Sequence, residues 1–175
     1  MTQFTGSSRV AERLARGTNG KVKIEDAGFD WKILGPDFDP KHLEYVAWQC
    51  DQDAYAASGQ KCSAQSMLFA HDNWVNAGLL DRLKERAATR KLDDLTVGPV
   101  LTQTTEEILG HTERLLSIPG SRLLFGGKEL NDHEIPECYG AVEPTAVFVP
   151  LEELIKDDNF DACARELFAP FQVVT

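Results

Sequence analysis

The chain has 175 residues and a formal net charge of −10 at pH 7, from 18 Lys and Arg against 28 Asp and Glu. With 42% hydrophobic and 26% charged residues, it reads as a globular chain long enough for one substantial core. The acidic excess argues against a phosphate backbone as partner. No apolar run approaches the roughly 18 residues of a membrane helix, so neither nucleic acid nor membrane is an expected partner.

Gly6-Ser7-Ser8 is a turn leading into a short helical stretch over 10–15, with no strand expected before it. Lys21-Val22-Lys23-Ile24-Glu25 alternates polar and apolar residues and predicts a strand with Val22 and Ile24 inward. Gly28 and Gly35-Pro36 interrupt the next stretch. Asp39-Pro40 suits a helix start, and Leu43, Val46, Ala47, Cys50 and Ala54 recur at helical spacing as a core-facing stripe. Gly59 is a suitable stop. Cys62 falls between that helix and the apolar run Met67-Leu68-Phe69-Ala70, an expected buried strand.

A second helix is expected from Asp72 or Asn73 to about Arg90, burying Val75, Leu79, Leu80 and Leu83. A third starts near Thr104, where Glu107 has capping-box spacing. Residues 123–125 and 146–149 read as strands, and 171–175 is a strand-like run. Helices alternating with short apolar strands predict an α/β fold with a mostly parallel sheet. Both ends look cut, so a truncated domain is expected; a short terminal edge strand is the alternative.

Cys50, Cys62, Cys138 and Cys163 form no CxxC pair and no tight group with histidine. Neither a structural metal nor a disulfide framework is expected, and free thiols in a reducing compartment are the default. Cys62 lies in Ser58-Gly59-Gln60-Lys61-Cys62-Ser63-Ala64, where small neighbours leave room for a substrate. Taken alone, such a cysteine is more often buried filler. By the same standard Glu25 is a strand-end surface charge, Glu166 a helix-surface carboxylate, Phe168 a core aromatic and Ser7 an N-cap. The four histidines and the three tryptophans sit in unrelated contexts.

Gly59-Gln60-Lys61-Cys62-Ser63-Ala64 resembles the cysteine motif of the aldehyde dehydrogenase superfamily, and its Lys-Cys-Ser form is similar to that of the glutamate-semialdehyde (pyrroline-carboxylate) branch. Four further stretches resemble that family in the same order. Phe4-Thr5-Gly6-Ser7 resembles the Gly-Ser turn under the cofactor. Glu25-Asp26-Ala27-Gly28 resembles the motif that holds the general base, with Ala27 in place of its first glycine. Gly98-Pro99, followed by Phe125-Gly126-Gly127, resembles the linking segments of the catalytic domain. Glu166-Leu167-Phe168-Ala169-Pro170 resembles the motif at the nicotinamide ribose, with Ala169 in place of glycine. The wording of residues 27–32 is closest to the plant-type branch.

The resemblance implies NAD as cofactor and a small aldehyde as substrate, oxidised in proline catabolism. It implies that Cys62 attacks the aldehyde carbon to give a hemithioacetal, whose oxyanion the Cys62 amide partly holds. Hydride loss to the nicotinamide leaves a thioester, hydrolysed by water that Glu25 activates. It further implies cofactor contacts from Gly6, Ser7, Glu166 and Phe168, and places Lys61 and Ser63 where they could meet a substrate carboxylate. Residues 1–27 would be the tail of an NAD-binding domain and 28–175 the thiol-bearing catalytic domain. The whole protein is expected to be a homo-oligomer of the mitochondrial matrix, although the N-terminal residues resemble no targeting segment.

The family's nucleotide-binding strands lie upstream of the matched region, so this polypeptide alone is expected to have negligible activity. The other readings are a non-catalytic remnant or interaction protein, a dehydrogenase for another aldehyde, and a thiol hydrolase pairing Cys62 with a distant histidine.

Overall fold

The computed structural model describes residues 2–175. Thr2–Thr5 (β1) and Val22–Glu25 (β2) pair in parallel, joined by the helix Ser8–Gly17 (α1). β1 is a strand where none was expected; Thr-Gln-Phe-Thr holds a single hydrophobic side chain and so shows no apolar period. The expected inward facing of Val22 and Ile24 is also corrected. Val22 is half-buried and Ile24 is 38% exposed, because α1 is the helix that packs on this pair and it covers little of it.

A five-stranded sheet carries the rest, in the order β3-β4-β7-β6-β5. Its members are Asp30–Leu34 (β3), Gln65–Ala70 (β4), Arg122–Phe125 (β5), Thr145–Phe148 (β6) and Phe171–Val174 (β7). Every pairing is parallel except β5 with β6, as expected for an α/β fold with a mostly parallel sheet. β3 is a second strand absent from the sequence reading. It is an edge strand with Trp31 and Ile33 exposed, and the breaks at Gly28 and Gly35 disguised it. β7 is central and wholly buried between β4 and β6, so the edge-strand alternative for residues 171–175 is corrected.

The helices are Leu43–Tyr55 (α2), Asp72–Asn76 (α3), Leu79–Ala87 (α4), Thr105–Leu116 (α5), Leu151–Leu154 (α6) and Asp157–Cys163 (α7). Successive strand residues point to opposite faces, and the core follows that rule. Met67 and Val173 join one cluster with Ile108 and Leu115 of α5 and Cys163 of α7. Leu68 and Val174 join the other with Ala47 and Ala54 of α2 and Leu79 and Leu83 of α4. Strands covered on both faces read as near-continuous apolar runs; β4 does from Met67 to Ala70, while β7 interrupts its run with buried Gln172.

Asp39 caps the turn into α2 by accepting from the Lys41 amide. The capping box at Thr104 and Glu107 forms with both reciprocal bonds. The single helix expected over 72–90 is corrected to two: Gly78 takes φ +93° and splits α3 from α4, a conformation that glycine adopts without the usual Cβ clash. Leu79 and Leu83 are buried as expected, while Val75 and Leu80 are half-buried. Among the described residues no helix is long and apolar enough to cross a membrane.

Candidate active site around Cys62

The nine residues between α2 and β4 carry the cysteine. Ala57, Ser58 and Gly59 are successively left-handed, with φ of 55°, 55° and 66°. Ser58 exchanges two hydrogen bonds with the Gly98 backbone, accepting from its amide at 2.8 Å and donating to its carbonyl at 3.2 Å. The Gln60 amide group donates to the Pro99 carbonyl at 3.0 Å and accepts from the Leu101 amide at 2.8 Å. The Ala64 amide then donates to the Lys61 carbonyl at 3.0 Å, closing a tight turn with Cys62 and Ser63 at its exposed tip.

Lys61 is turned the other way. Its ammonium donates to the Gln52 carbonyl in the last turn of α2, at 3.4 Å, and its charge acts on Asp53. A cation there satisfies an end carbonyl and the negative end of the helix dipole.

Behind the loop, a buried polar chain joins four elements, β4, β7, α2 and β6. Gln65 at the start of β4 donates to Gln172 of β7 at 2.6 Å, Gln172 donates to the Tyr55 hydroxyl at 2.7 Å, and Tyr55 donates to the Thr145 carbonyl at 3.1 Å. Burial pushes the Tyr55 phenol far above its ordinary range. Tyr55 before the loop and Gln65 after it are thus tied to one another through Gln172.

Two other segments close on it. A Cβ on Gly28 would stand 3.1 Å from the Cys62 carbonyl oxygen, and one on Gly59 would stand 2.0 Å from the Ala169 carbonyl oxygen. The loop before β3, the loop before β4 and the loop before β7 therefore converge. Glu166 and Phe168 lie in the last of these, both half-buried, with Phe168 left-handed at φ 53°. Burial, and then the charge of Asp30, pushes the Glu166 carboxyl up.

Glu25 is exposed at the end of β2, three residues before Gly28. Its carbonyl accepts from the Gly6 amide at 3.2 Å, which ties the Gly6-Ser7 turn to the carboxylate strand. Ser7 precedes α1 in extended conformation, yet its hydroxyl does not cap that helix. A free hydroxyl beside first-turn amides that lack intrahelical partners suits a phosphate oxygen. A half-buried carboxylate such as Glu166 suits a pair of ribose hydroxyls. The residues present therefore suit the pyrophosphate and one ribose of a dinucleotide.

Cys50 and Cys163 are buried, and burial raises both thiols to about 11; Cys62 and Cys138 are exposed, and all four are free. His71 follows β4 at the end opposite Cys62, and its Nδ1 accepts from the Asn73 amide. A thiol hydrolase pairing Cys62 with His71 has no support in this geometry. Ser58, Gln60 and Asp30 were given no role of their own in the sequence reading; the polar residues flanking Gly59 were the available signal for the first two.

A parallel α/β sheet that presents an exposed thiol at a turn tip, between two carboxylate-bearing loops, defines a thiol-bearing domain of the α/β class. The profile of the aldehyde dehydrogenase family matches residues 1–175, and the chain belongs to that family. It is 64% identical over its whole length to a protein of Arabidopsis thaliana named Delta-1-pyrroline-5-carboxylate dehydrogenase 12A1, mitochondrial, and 65% identical to a probable aldehyde dehydrogenase of Linum usitatissimum. It spans 31% of the length of each. A crystal structure described as a putative aldehyde dehydrogenase from Burkholderia cenocepacia superposes with a TM-score of 0.79 at 25% identity, over 98% of this chain and 35% of that one.

Proposed function

We propose that the whole protein oxidises L-glutamate γ-semialdehyde to glutamate with NAD, in proline catabolism, and that Cys62 and Glu25 carry the chemistry. The observation that supports it most directly is the packing of Gly28 on the Cys62 carbonyl, which brings the base-bearing segment to the cysteine turn. The name of the Arabidopsis relative supports the choice of aldehyde and a mitochondrial setting. Residues 1–27 then belong to a cofactor domain and 28–175 to the catalytic domain, and the whole protein assembles as a homo-oligomer.

The exposed Cys62 sulfur adds to the aldehyde carbon and forms a hemithioacetal. NAD, when bound, supplies the hydride acceptor. Gly6 and Ser7 would hold its pyrophosphate, Glu166 would accept from ribose hydroxyls, and Phe168 would pack beside the nicotinamide. The Glu25 carboxylate takes a proton from the water that attacks the acyl carbon, releasing the thiol. Ser63 shares the turn tip with Cys62 and is the local hydroxyl for the substrate carboxylate. Lys61 reaches it only by leaving the Gln52 carbonyl.

Turnover with NAD and glutamate semialdehyde in the full-length protein tests this reading. Cys62→Ala should abolish turnover. Glu25→Gln should still form the acyl-enzyme but hydrolyse it on the order of 10²-fold more slowly, the usual size of a general-base contribution. Unimpaired acyl hydrolysis in Glu25→Gln would remove Glu25 from the mechanism.

A further inference from the structure

We propose that Ser58 and Gln60 are positioning residues that set the Cys62 turn by clamping it to the segment 98–101; the proposal rests on Cys62 being the nucleophile. Ala57 and Ser58 are L-residues in the left-handed region, a sparsely populated conformation. Such backbone persists only where its surroundings over-determine it, and here the surroundings are specific. Ser58, only 3% exposed, both donates to and accepts from Gly98, and Gln60 does the same across Pro99 and Leu101.

These two side chains flank Gly59, whose backbone is pressed against the Ala169 carbonyl. The loop is thus gripped from two sides immediately before the thiol. The far side of the clamp is firm. Val100 is fully buried and exchanges two backbone hydrogen bonds with Gly140, at 2.7 and 2.9 Å. Rigidity passes from the core through Val100 to residues 98–101, then through Ser58 and Gln60 to Cys62. Catalytic groups need geometry fixed to a fraction of an ångström, and their supporting residues provide it.

The test uses the full-length protein and p-nitrophenyl acetate, whose acyl group transfers to a thiolate with release of p-nitrophenolate and so reports Cys62 without cofactor. Ser58→Gly removes both hydroxyl bonds while tolerating the left-handed backbone. Gln60→Met keeps volume and removes both amide bonds, whereas Gln60→Glu keeps the acceptor for Leu101. Ser58→Gly and Gln60→Met should each slow the acylation burst about 10-fold, and the double variant on the order of 10²-fold, the scale of an ångström-sized misplacement. KM for the aldehyde should stay within about 3-fold, and Gln60→Glu should recover part of the loss.

A double variant that acylates at the parent rate, while Cys62→Ala abolishes the burst, overturns the clamp and leaves the proposed function standing. A burst that survives in Cys62→Ala overturns the function beneath it. Should Ser58→Gly fail to fold, the ranking of Gln60→Met against Gln60→Glu decides alone: equal rates refute the clamp.

Discussion

Gly59→Ala is the sharpest single perturbation of the nucleophile loop. The new methyl would stand 2.0 Å from the Ala169 oxygen, 2.7 Å from its carbonyl carbon and 3.1 Å from the Ala54 oxygen. Contacts under 3.0 Å are essentially never seen, so loop and Ala169 must separate by at least 3.0 − 2.0 = 1.0 Å. Neither neighbour is a flexible side chain. The left-handed φ of 66° adds its own penalty, on the order of 1 kcal/mol for a residue with a Cβ. Overpacking of this kind costs about 1–3 kcal/mol, so about 3 kcal/mol in all is expected.

For a chain of this size that corresponds to roughly 6–12 °C in Tm. An ångström of displacement at Cys62 should also slow acylation on the order of 10²-fold. Thermal unfolding by circular dichroism reads the first effect, and the p-nitrophenyl acetate burst of the full-length protein reads the second. Gly110→Ala is the control: nothing lies within 4 Å of its Cβ on α5, and it should stabilise by about 1 kcal/mol through helix propensity. Unchanged Tm and burst in Gly59→Ala would refute the claim that backbone contact with Ala169 fixes the loop.

The four thiols should separate by reactivity. Iodoacetamide at pH 8, followed by mass spectrometry, should label exposed Cys62 and Cys138 while Cys50 and Cys163, buried and raised to about 11, stay unmodified until the chain unfolds. His111 should make stability fall in mild acid. It is 4% exposed beside Phe171 of β7, and burial, then the charges of Arg165 and Arg114, pull its pKa from 6.5 to about 4. The unfolded chain therefore binds the extra proton. Its contribution is complete above about pH 6.5 and is lost as pH falls toward 4, up to roughly 3 kcal/mol. Denaturant unfolding across that window should show the slope in the parent chain and a flatter profile in His111→Leu.

The α/β class was legible because α2 and α5 start on recognisable caps and β4 and β6 carry short apolar runs. Asp39 and the Thr104–Glu107 pair signalled their helix starts through bonds made within a few residues. β1 and β3 were not legible for the opposite reason. Both are edge strands whose stability comes from a partner distant in sequence, and β3 faces outward through Trp31 and Ile33. The break at Gly78 in the helix expected over 72–90 was not legible, since only φ tells a hinge from a weak helical residue. In the site, Cys62 and Glu166 could be picked from motif wording. Their convergence could not, because Gly28 meets Cys62 and Gly59 meets Ala169 by backbone packing, which leaves no mark in side-chain pattern beyond the absence of a Cβ. Lys61 stood next to the cysteine in sequence, yet the turn at 61–64 sent it toward α2.

The end of the sheet at which the site forms has a physical consequence. Ligands in open α/β sheets usually bind outside the carboxyl ends of the strands. The five-stranded sheet has a cavity of about 550 Å³ there, lined by Ala70, His71, Arg122, Phe148 and Val174, but the Cys62 turn, Gly28 and residues 166–169 all sit at the opposite, amino ends of β4, β3 and β7. The rule is met instead by the small pair, since Gly6 and Glu25 lie at the carboxyl ends of β1 and β2. On the function proposed above, the site is a seam between the carboxyl edge of one parallel sheet and the amino edge of another. One edge contributes a helix N-terminus and a strand-end carboxylate; the other contributes loops with a thiol at a turn tip. Because α2 runs opposite to the strand after it, its C-terminus and partial negative charge fall on the thiol's side of the sheet. The Lys61 ammonium, donating to the Gln52 carbonyl, lies against that negative end. The lysine beside the cysteine in sequence thus serves the end of α2.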